Sequence, residues 1–577
     1  MRPLTYPSAR DAPAPAPAPA PALAPHRAAF RGQRLVGLFR RPLGLVVAAS
    51  VWLATLGNVP LWLALDRLGV LDGTRGLAFA GGLALAIVAV IALLIGALAW
   101  RFTLKPAVLF MLFASAAGTH FMLAFGVVID PGMMVNVLQT DPREAADLLT
   151  LRFGATVLLL GMLPALAVWR WPLRPATWPR QLAHNAALCA CSLLLLVAST
   201  LAIFQGLSST TRNHKQLRYL INPLNSIYAL GHTAAAPFKR GPSRLQPIGE
   251  DATLGASHAA QRRAPLLVLV LGETARSANF AINGYGRATT PELQALGVTS
   301  FRNAWACGTS TAASLPCMFS HLPRDEFDRR EGNYEDLLDV LQRAGLAVLW
   351  LDNQAGCKGV CDRVFSARTA DAPDAALCNA GECFDAFMLQ GLEERIAALP
   401  AERRARGVVV VMHQMGSHGP AYYKRSPAAF KRFTPECASH SLQDCSTEQV
   451  VNAYDNTIVY TDHFLAATVR WLEAQQDRAD AALLYVSDHG ESLGENRLYL
   501  HGLPYAIAPE VQKRVPWITW LSPGFSERRG VTAECLQGSI DTRLSHDNYF
   551  HSVLGLIDVR TSVYRPALDV YAGCAKL

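Results

Sequence analysis

Long apolar runs crowd into the first 206 of the chain's 577 residues, and no other feature constrains its folding as strongly. A bilayer core of about 30 Å takes about 20 apolar residues per helical crossing. Five spans are expected, at roughly 43–65, 77–100, 106–128, 154–169 and 186–205. The fourth is short and carries Pro164. Apolar residues make up 51% of the chain and charged ones 17%, and the excess sits almost wholly in this first part. The chain therefore reads as a membrane part followed by a globular part.

What precedes the first span is an Ala-Pro repeat, "DAPAPAPAPAPALAPH", which can form neither helix nor core and is expected to be an extended tail. Arg27, Arg31, Arg34, Arg40 and Arg41 follow it. Such a run can bind nucleic acid, but a hydrophobic span begins at once, so a cytoplasmic juxtamembrane flank is the better reading and no nucleic-acid partner is expected. A cleaved signal peptide does not fit a long first span that starts beyond residue 42. The flanks "RFTLK" and "WRWPLRPATWPRQ" are basic, whereas the loop "DPGMMVNVLQTDPREAADLL" is mostly acidic. With the amino end inside, an odd number of spans exports everything after residue 206. Of 12 cysteines, Cys189 and Cys191 fall within the fifth span, and the other ten all lie after residue 300, eight of them in close pairs. An even count in an exported domain reads as disulfides, and the spacing does not match paired CxxC zinc knots.

The stretch "TTRNHKQLRYLINPLNSIYAL" is amphipathic and suits either a helix along the membrane surface or a plain linker helix. Beyond it, short apolar strands alternate with helical stretches. The strands are expected at 266–272, 346–352, 408–413, 482–488 and 517–522. Helices are expected within "YEDLLDVLQRAG" and "NTIVYTDHFLAATVRWLEAQ". Continuous apolar runs of this length suit a parallel sheet covered on both faces, an α/β sandwich.

Ligands of open α/β sheets bind beyond the carboxyl ends of the strands. Those ends carry Glu273, Asp352 with Cys357 and Lys358 following, His413 with His418, and Asp488 with His489, followed by His501. Each alone is bland: a helix cap or a solvated imidazole. Together, carboxylates and imidazoles from several strand ends describe a divalent-cation site of zinc type. In "CGTSTAASLPC", Thr311 precedes an expected helical turn, where backbone N–H groups can meet an anion. A threonine hydroxyl is inert until a cation lowers its pKa, after which it can attack a phosphorus or sulfur centre. A bridge between Cys307 and Cys317 closes too short a loop to add much chain entropy, so its expected role is to aim that oxygen.

"GETAR", "CGTSTAASLPCMFS", "CKGVCDR", "HQMGSHGPAYYKR" and "SDHGESLGE" resemble the lipid A phosphoethanolamine transferases, which include the colistin-resistance enzymes. "NVLQTD" and "NHKQLRYLINPLNSIYAL" extend the resemblance into the membrane part, so that it runs from about residue 43 to the end. It implies an N-terminal five-helix transmembrane domain and a C-terminal α/β sulfatase-like domain of the alkaline phosphatase superfamily. The divisions would be 1–42 (cytoplasmic tail), 43–206 (spans), 207–258 (bridging interfacial helix and linker) and 259–577 (periplasmic catalytic domain). Thr311 would be the nucleophile. Glu273, Thr311, Asp488 and His489 would hold one catalytic zinc. Lys358, His413, His418 and His501 would hold the phosphoryl group or a second zinc, and Asn136 and Thr140 would lie near the lipid donor. His214 and Asn222 to Ser226 match the bridging segment and are not expected to be catalytic. The resemblance implies the pairs Cys307–Cys317, Cys357–Cys361, Cys378–Cys383 and Cys437–Cys445, and Cys535 and Cys574 are left over as a fifth.

The implied reaction takes phosphoethanolamine from phosphatidylethanolamine to lipopolysaccharide, at a lipid A phosphate, an inner-core heptose or a Kdo sugar, by a monomer in a Gram-negative-type inner membrane. Resistance to cationic peptides and polymyxin would follow from the lost surface charge. A phosphoglycerol transferase or phosphatase on the same scaffold, and a non-enzymatic receptor, are the alternatives. Formylglycine sulfatases modify a Cys or Ser in a C/S-x-P-x-R setting, and "SLPCM" lacks that arginine.

Overall fold

The chain is described from a computed structural model, which covers residues 42–575 apart from 141, 174–175, 240–243, 260–262, 372–376 and 380–381. The Ala-Pro tail and its arginines lie outside the described residues. Among the described residues, five helices are long and apolar enough to cross a membrane: Pro42–Arg67, Gly73–Ala97, Leu104–Ala124, Leu151–Arg170 and Trp178–Ala202. The first is interrupted by a tighter turn at Leu56–Asn58. The Gly57 carbonyl there accepts from Ser115 Oγ (3.3 Å), Thr119 Oγ1 (3.0 Å) and Asn222 Nδ2 (3.1 Å), so the irregular backbone is satisfied away from water. The fourth passes Pro164 unbroken. It widens into a π-turn over Val157–Met162, which moves the hydrogen bonding past a residue that has no N–H. The fifth begins at Trp178, not at residue 186 as its hydropathy suggests. Its polar first turns are buried: Gln181 and Asn185 both donate to the Ala99 carbonyl, at 3.0 and 3.2 Å.

The bridging stretch forms a helix at Phe204–Asn213, a 3-10 turn at Lys215–Leu220 and a second helix at Leu224–Lys239. Asn222, between the last two, is fully buried. It donates from its backbone N to Asn58 Oδ1 at 2.8 Å and from its side chain to the Ser115 carbonyl at 2.7 Å. The bridging segment is thus locked onto spans one and three.

The C-terminal domain is built on one eight-stranded sheet. Numbering only its strands, these are β1 (Ala264–Gly272), β2 (Thr299–Trp305), β3 (Ala347–Asp352), β4 (Phe365–Arg368), β5 (Val408–His413), β6 (Ala479–Ser487), β7 (Arg514–Leu521) and β8 (Leu544–Ser545), in the order β8-β2-β7-β6-β1-β5-β3-β4. All run parallel except β7, which is antiparallel to both β6 and β2. An all-parallel sheet is therefore not what forms. After β6 the chain lingers at the same sheet edge through residues 488–513, and without a crossover it can only re-enter in reverse.

Alternate residues of the central strands feed two separate cores. Leu267, Leu269 and Leu271 of β1 face one cluster, and Leu266, Val268 and Val270 the other. Both faces are apolar because helices cover both. Helix α1 (Thr311–Met318) packs on the first face with α2 (Leu337–Arg343) and α4 (Tyr549–Leu556). The 27-residue α3 (Thr447–Glu473), started by a Ser446/Gln449 capping box, packs on the second.

Candidate active site

Glu273 directly follows β1, and Asp488 and His489 directly follow β6. These strands are neighbours with Gly272 opposite Ser487, so register alone sets the three side chains together. Glu273, Asp488 and His489 have no solvent exposure, and Thr311 only 6%. One donor atom from each of Glu273, Asp488 and His489 lies within 4.8 Å of the others. The Thr311 hydroxyl donates to Glu273 Oε2 at 3.1 Å and lies 3.5 Å from His489 Nε2. His489 Nε2 is 3.3 Å from Asp488 Oδ2 and 3.5 Å from Glu273 Oε1.

The residues fit a metal ion. His489 Nδ1 donates to the Gly490 carbonyl at 2.9 Å, which fixes the tautomer and turns the Nε2 lone pair toward the carboxylates. Burial pulls the His489 pKa down to about 4, so the ring is neutral. Asp488 Oδ2 is buried without a hydrogen-bond partner. Two buried carboxylates, one with an orphaned oxygen, beside an imidazole lone pair form a costly arrangement that a cation would offset. A second cluster, Cys357, Cys361 and Asp362, is not such a site, because its two sulfurs are bonded to each other.

The structure pairs Cys307–Cys317, Cys357–Cys361, Cys378–Cys383, Cys437–Cys445 and Cys535–Cys574. Cys189 and Cys191 in span five are free. Besides its bridge, the Thr311 loop is held by the Thr309 hydroxyl donating to the Leu503 carbonyl (2.6 Å) and by Ser314 Oγ accepting from Gly308 N (3.0 Å). The threonine opens α1, with Ser310 as cap residue.

A cavity of about 270 Å³ runs from this cluster toward the membrane part. Thr311, Lys358, His418 and His501 line it from the sheet domain, and Asn136 and Thr140 from the helix after span three. Its far walls are apolar, from Phe121, Phe125 and Val127 to Leu148 and Leu149. Lys358 Nζ reaches across to the Gln139 carbonyl at 3.4 Å. His418 and His501 have ring centroids 5.6 Å apart, and His501 and His489 only 4.3 Å. Burial holds His418 well below the usual imidazole range. His413 differs from the rest. It is fully buried at the end of β5, its Nδ1 2.9 Å from Asp352 Oδ1, and it is not among the residues lining the cavity.

Comparison with known proteins agrees with this architecture. A family described as phosphoethanolamine transferase EptA/EptB matches residues 87–238, and one described as sulfatase matches residues 265–559. The chain is 40% identical over 484 residues to the phosphoethanolamine transferase EptA of Escherichia coli (strain K12), covering 82% of this chain and 86% of that one. It is also 40% identical over 470 residues to the phosphatidylethanolamine transferase Mcr-1 of Escherichia coli, covering 80% and 84%. The integral membrane lipooligosaccharide phosphoethanolamine transferase A of Neisseria meningitidis superposes with a TM-score of 0.87 at 34% identity, covering 92% of this chain and 99% of that one. This chain belongs to the phosphoethanolamine transferase family.

As a member of that family it is a membrane protein with five spans and a soluble C-terminal domain. Three buried residues of this transferase escaped sequence reasoning. Gln354 donates to Glu273 Oε2 at 3.0 Å. Glu491 lies 3.3 Å from His501 Nδ1. His546 accepts from Cys307 N at 3.1 Å through Nδ1 and contacts the Ser487 carbonyl at 3.0 Å through Nε2. Glu491 sits in "SDHGESLGE" and was within reach of motif reading. Gln354 and His546 carried no local signal, since only the folded sheet brings them to the site.

Proposed function

We propose that this protein transfers phosphoethanolamine from phosphatidylethanolamine to lipopolysaccharide, at a lipid A phosphate, from the outer face of a Gram-negative-type inner membrane. The membrane domain is 43–206, the bridging segment 207–258 and the periplasmic catalytic domain 259–577. The observation that carries this reading is the cavity itself: one end holds Thr311 beside the buried Glu273–Asp488–His489 cluster, and the other opens among apolar side chains of the membrane part. A lipid can stay in the bilayer while its phosphate reaches the hydroxyl.

Glu273, Thr311, Asp488 and His489 would hold a zinc ion. The chemistry such an ion supplies when bound is a lowered hydroxyl pKa and neutralised phosphate charge. Thr311 Oγ1 forms a bond to phosphorus, and the bond from phosphorus to the diacylglycerol oxygen breaks. Diacylglycerol leaves with the proton that Thr311 gives up, and His501 and His418, which line the cavity with Thr311, lie along the path that proton takes. Lys358 faces the anionic phosphoryl oxygens, with Asn136 and Thr140 against the headgroup. His413 acts from behind, through its pairing with Asp352. In the second half an acceptor phosphate oxygen bonds to phosphorus as the Thr311 Oγ1–phosphorus bond breaks, and the proton of the acceptor phosphate passes to Thr311. The added group brings an ammonium and turns a phosphate monoester into a diester, so the lipid A surface becomes less negative, which weakens binding of cationic peptides such as polymyxin.

The test uses full-length protein in detergent with a headgroup-intact fluorescent phosphatidylethanolamine. Labelled diacylglycerol is expected from wild type and none from Thr311→Ala, together with a mass increase of one phosphoethanolamine on Thr311 of the wild-type protein. Lipid A from cells expressing the gene should gain the same group. Release of diacylglycerol from a glycerol-headgroup donor only, or a modification confined to the core sugars, would overturn the donor or the acceptor assignment respectively.

A further inference from the structure

A second, larger cavity of about 880 Å³ lies on the other side of the wall that closes the catalytic one. The wall is made of residues 125–128 and the hairpin at 492–501. They are joined by the Tyr499 N–H donating to the Phe125 carbonyl at 2.9 Å. Phe125 and Val127 face the catalytic cavity, whereas Gly126 and Val128 face the second one. The approach is close enough to require glycine: a Cβ on Gly126, whose φ is +71°, would sit 2.8 Å from the Arg497 carbonyl oxygen.

The floor of this cavity comes from the membrane part, with Leu63, Met122 and Leu123, and its roof from the sheet domain, with Leu503 and Ile507. Its rim is polar, and two guanidinium groups stand there: Arg67, at the end of span one, and Arg497, at the tip of the hairpin. Both are exposed, and neither forms an ion pair or a side-chain hydrogen bond among the described residues. Arg497 is also held at a φ of +62°, and its neighbour Asn496 at +53°. Adjacent non-glycine residues in this left-handed region are strained, and the surrounding structure has to hold them there. The hairpin is anchored behind them by Arg276 pairing with Glu495 at 2.8 Å.

An apolar floor at membrane depth below two uncompensated cations fits one kind of occupant. We propose that this cavity binds an acidic phospholipid, its phosphate between Arg67 and Arg497 and its acyl chains against span one and the end of span three. A zwitterionic lipid fits less well, because its ammonium would face the same two arginines. The site is separate from the catalytic cavity and does not depend on what reaction occurs there. A lipid seated in it braces the hairpin whose far end carries Leu500 and His501 into the catalytic cavity.

The experiment is native mass spectrometry of the full-length protein in detergent, titrated with either dioleoyl phosphatidylglycerol or dioleoyl phosphatidylethanolamine. Two guanidinium groups near an anionic lipid phosphate, at about 1 kcal/mol each, correspond to a loss on the order of thirtyfold in phosphatidylglycerol affinity for Arg67→Ala/Arg497→Ala. Phosphatidylethanolamine adducts should be unchanged in that variant. Ala64→Trp, which keeps both arginines and intrudes on the cavity beside Leu63, should also weaken the phosphatidylglycerol adduct. The proposal is overturned if either variant retains phosphatidylglycerol as wild type does, or if the double variant loses both lipids equally. Unchanged thermal unfolding identifies the variants that fold, and if the double variant does not, Ala64→Trp decides alone.

Discussion

Replacing His546 tests whether the catalytic geometry depends on a residue that touches neither substrate nor the candidate metal site. The ring is fully buried between the disulfide loop and the end of β6. Its Nδ1 accepts the Cys307 N–H at 3.1 Å, and its Nε2 donates to the Ser487 carbonyl at 3.0 Å. One imidazole therefore sets the distance between the loop bearing Thr311 and the strand end bearing Asp488. His546→Ala leaves a buried N–H and a buried C=O without partners, at about 1–3 kcal/mol each, so about 2–6 kcal/mol of stability is expected to be lost. The loop is then free to shift, and a displacement of about 1 Å at a nucleophile costs on the order of a hundredfold in rate. The assay is diacylglycerol release from fluorescent phosphatidylethanolamine, measured at a temperature where thermal unfolding shows the variant folded. The expected result is a fall in kcat with KM for the donor unchanged, because His546 does not line the cavity. His546→Gln, which can restore one of the two bonds, should recover part of both losses. Full kcat in a folded His546→Ala variant, or a loss confined to KM, would refute the positioning argument.

Three further outcomes follow from the geometry. Asn222→Leu removes the side-chain bonds to Gly57, Ser115 and Thr119 that tie the bridging segment to the spans, and should cost about 1–3 kcal/mol in detergent thermal unfolding. An unfolding temperature equal to wild type would show that this network holds nothing. Added Zn²⁺ at about a hundred times its Kd should stabilise chelator-treated protein by about 2.7 kcal/mol, and Glu273→Gln should abolish that gain. Equal gains in both proteins would place the ion elsewhere. Burial, with Arg565 adding to it, pulls His551 down to about 4, and its Nδ1 accepts the Arg565 N–H at 3.1 Å. The unfolded chain therefore binds a proton that the folded chain does not between pH about 6.5 and about 4. Stability from this group is complete above about 6.5 and falls as pH drops through that window, by about 3 kcal/mol in all. His551→Gln should flatten the acid side of a urea-unfolding profile, and an unchanged slope would assign the acid loss to other groups.

What sequence alone determined here is what depends on nearest neighbours and on solvent. The five spans are legible because a bilayer demands about 20 apolar residues in a row wherever they pack. The five central strands were legible because both sheet faces are covered, which leaves runs such as "VVVVM" with no polar position. Glu273, Asp488 and His489 were legible because each directly follows such a run. The errors fall where distant segments decide. The early start of span five depends on the Ala99 carbonyl receiving Gln181 and Asn185, and the reversal of β7 on the path taken by residues 488–513. His413 reads like the other strand-end histidines, and the fold adds its burial at the end of β5 against Asp352. Tertiary structure alone brought Gln354 and His546 to the site, whereas Asn136 and Thr140, which the resemblance put near the lipid donor, line the cavity with Thr311. Such contacts join residues far apart in the chain, and their energies come from the geometry of packed elements, which a local pattern of residue types does not encode.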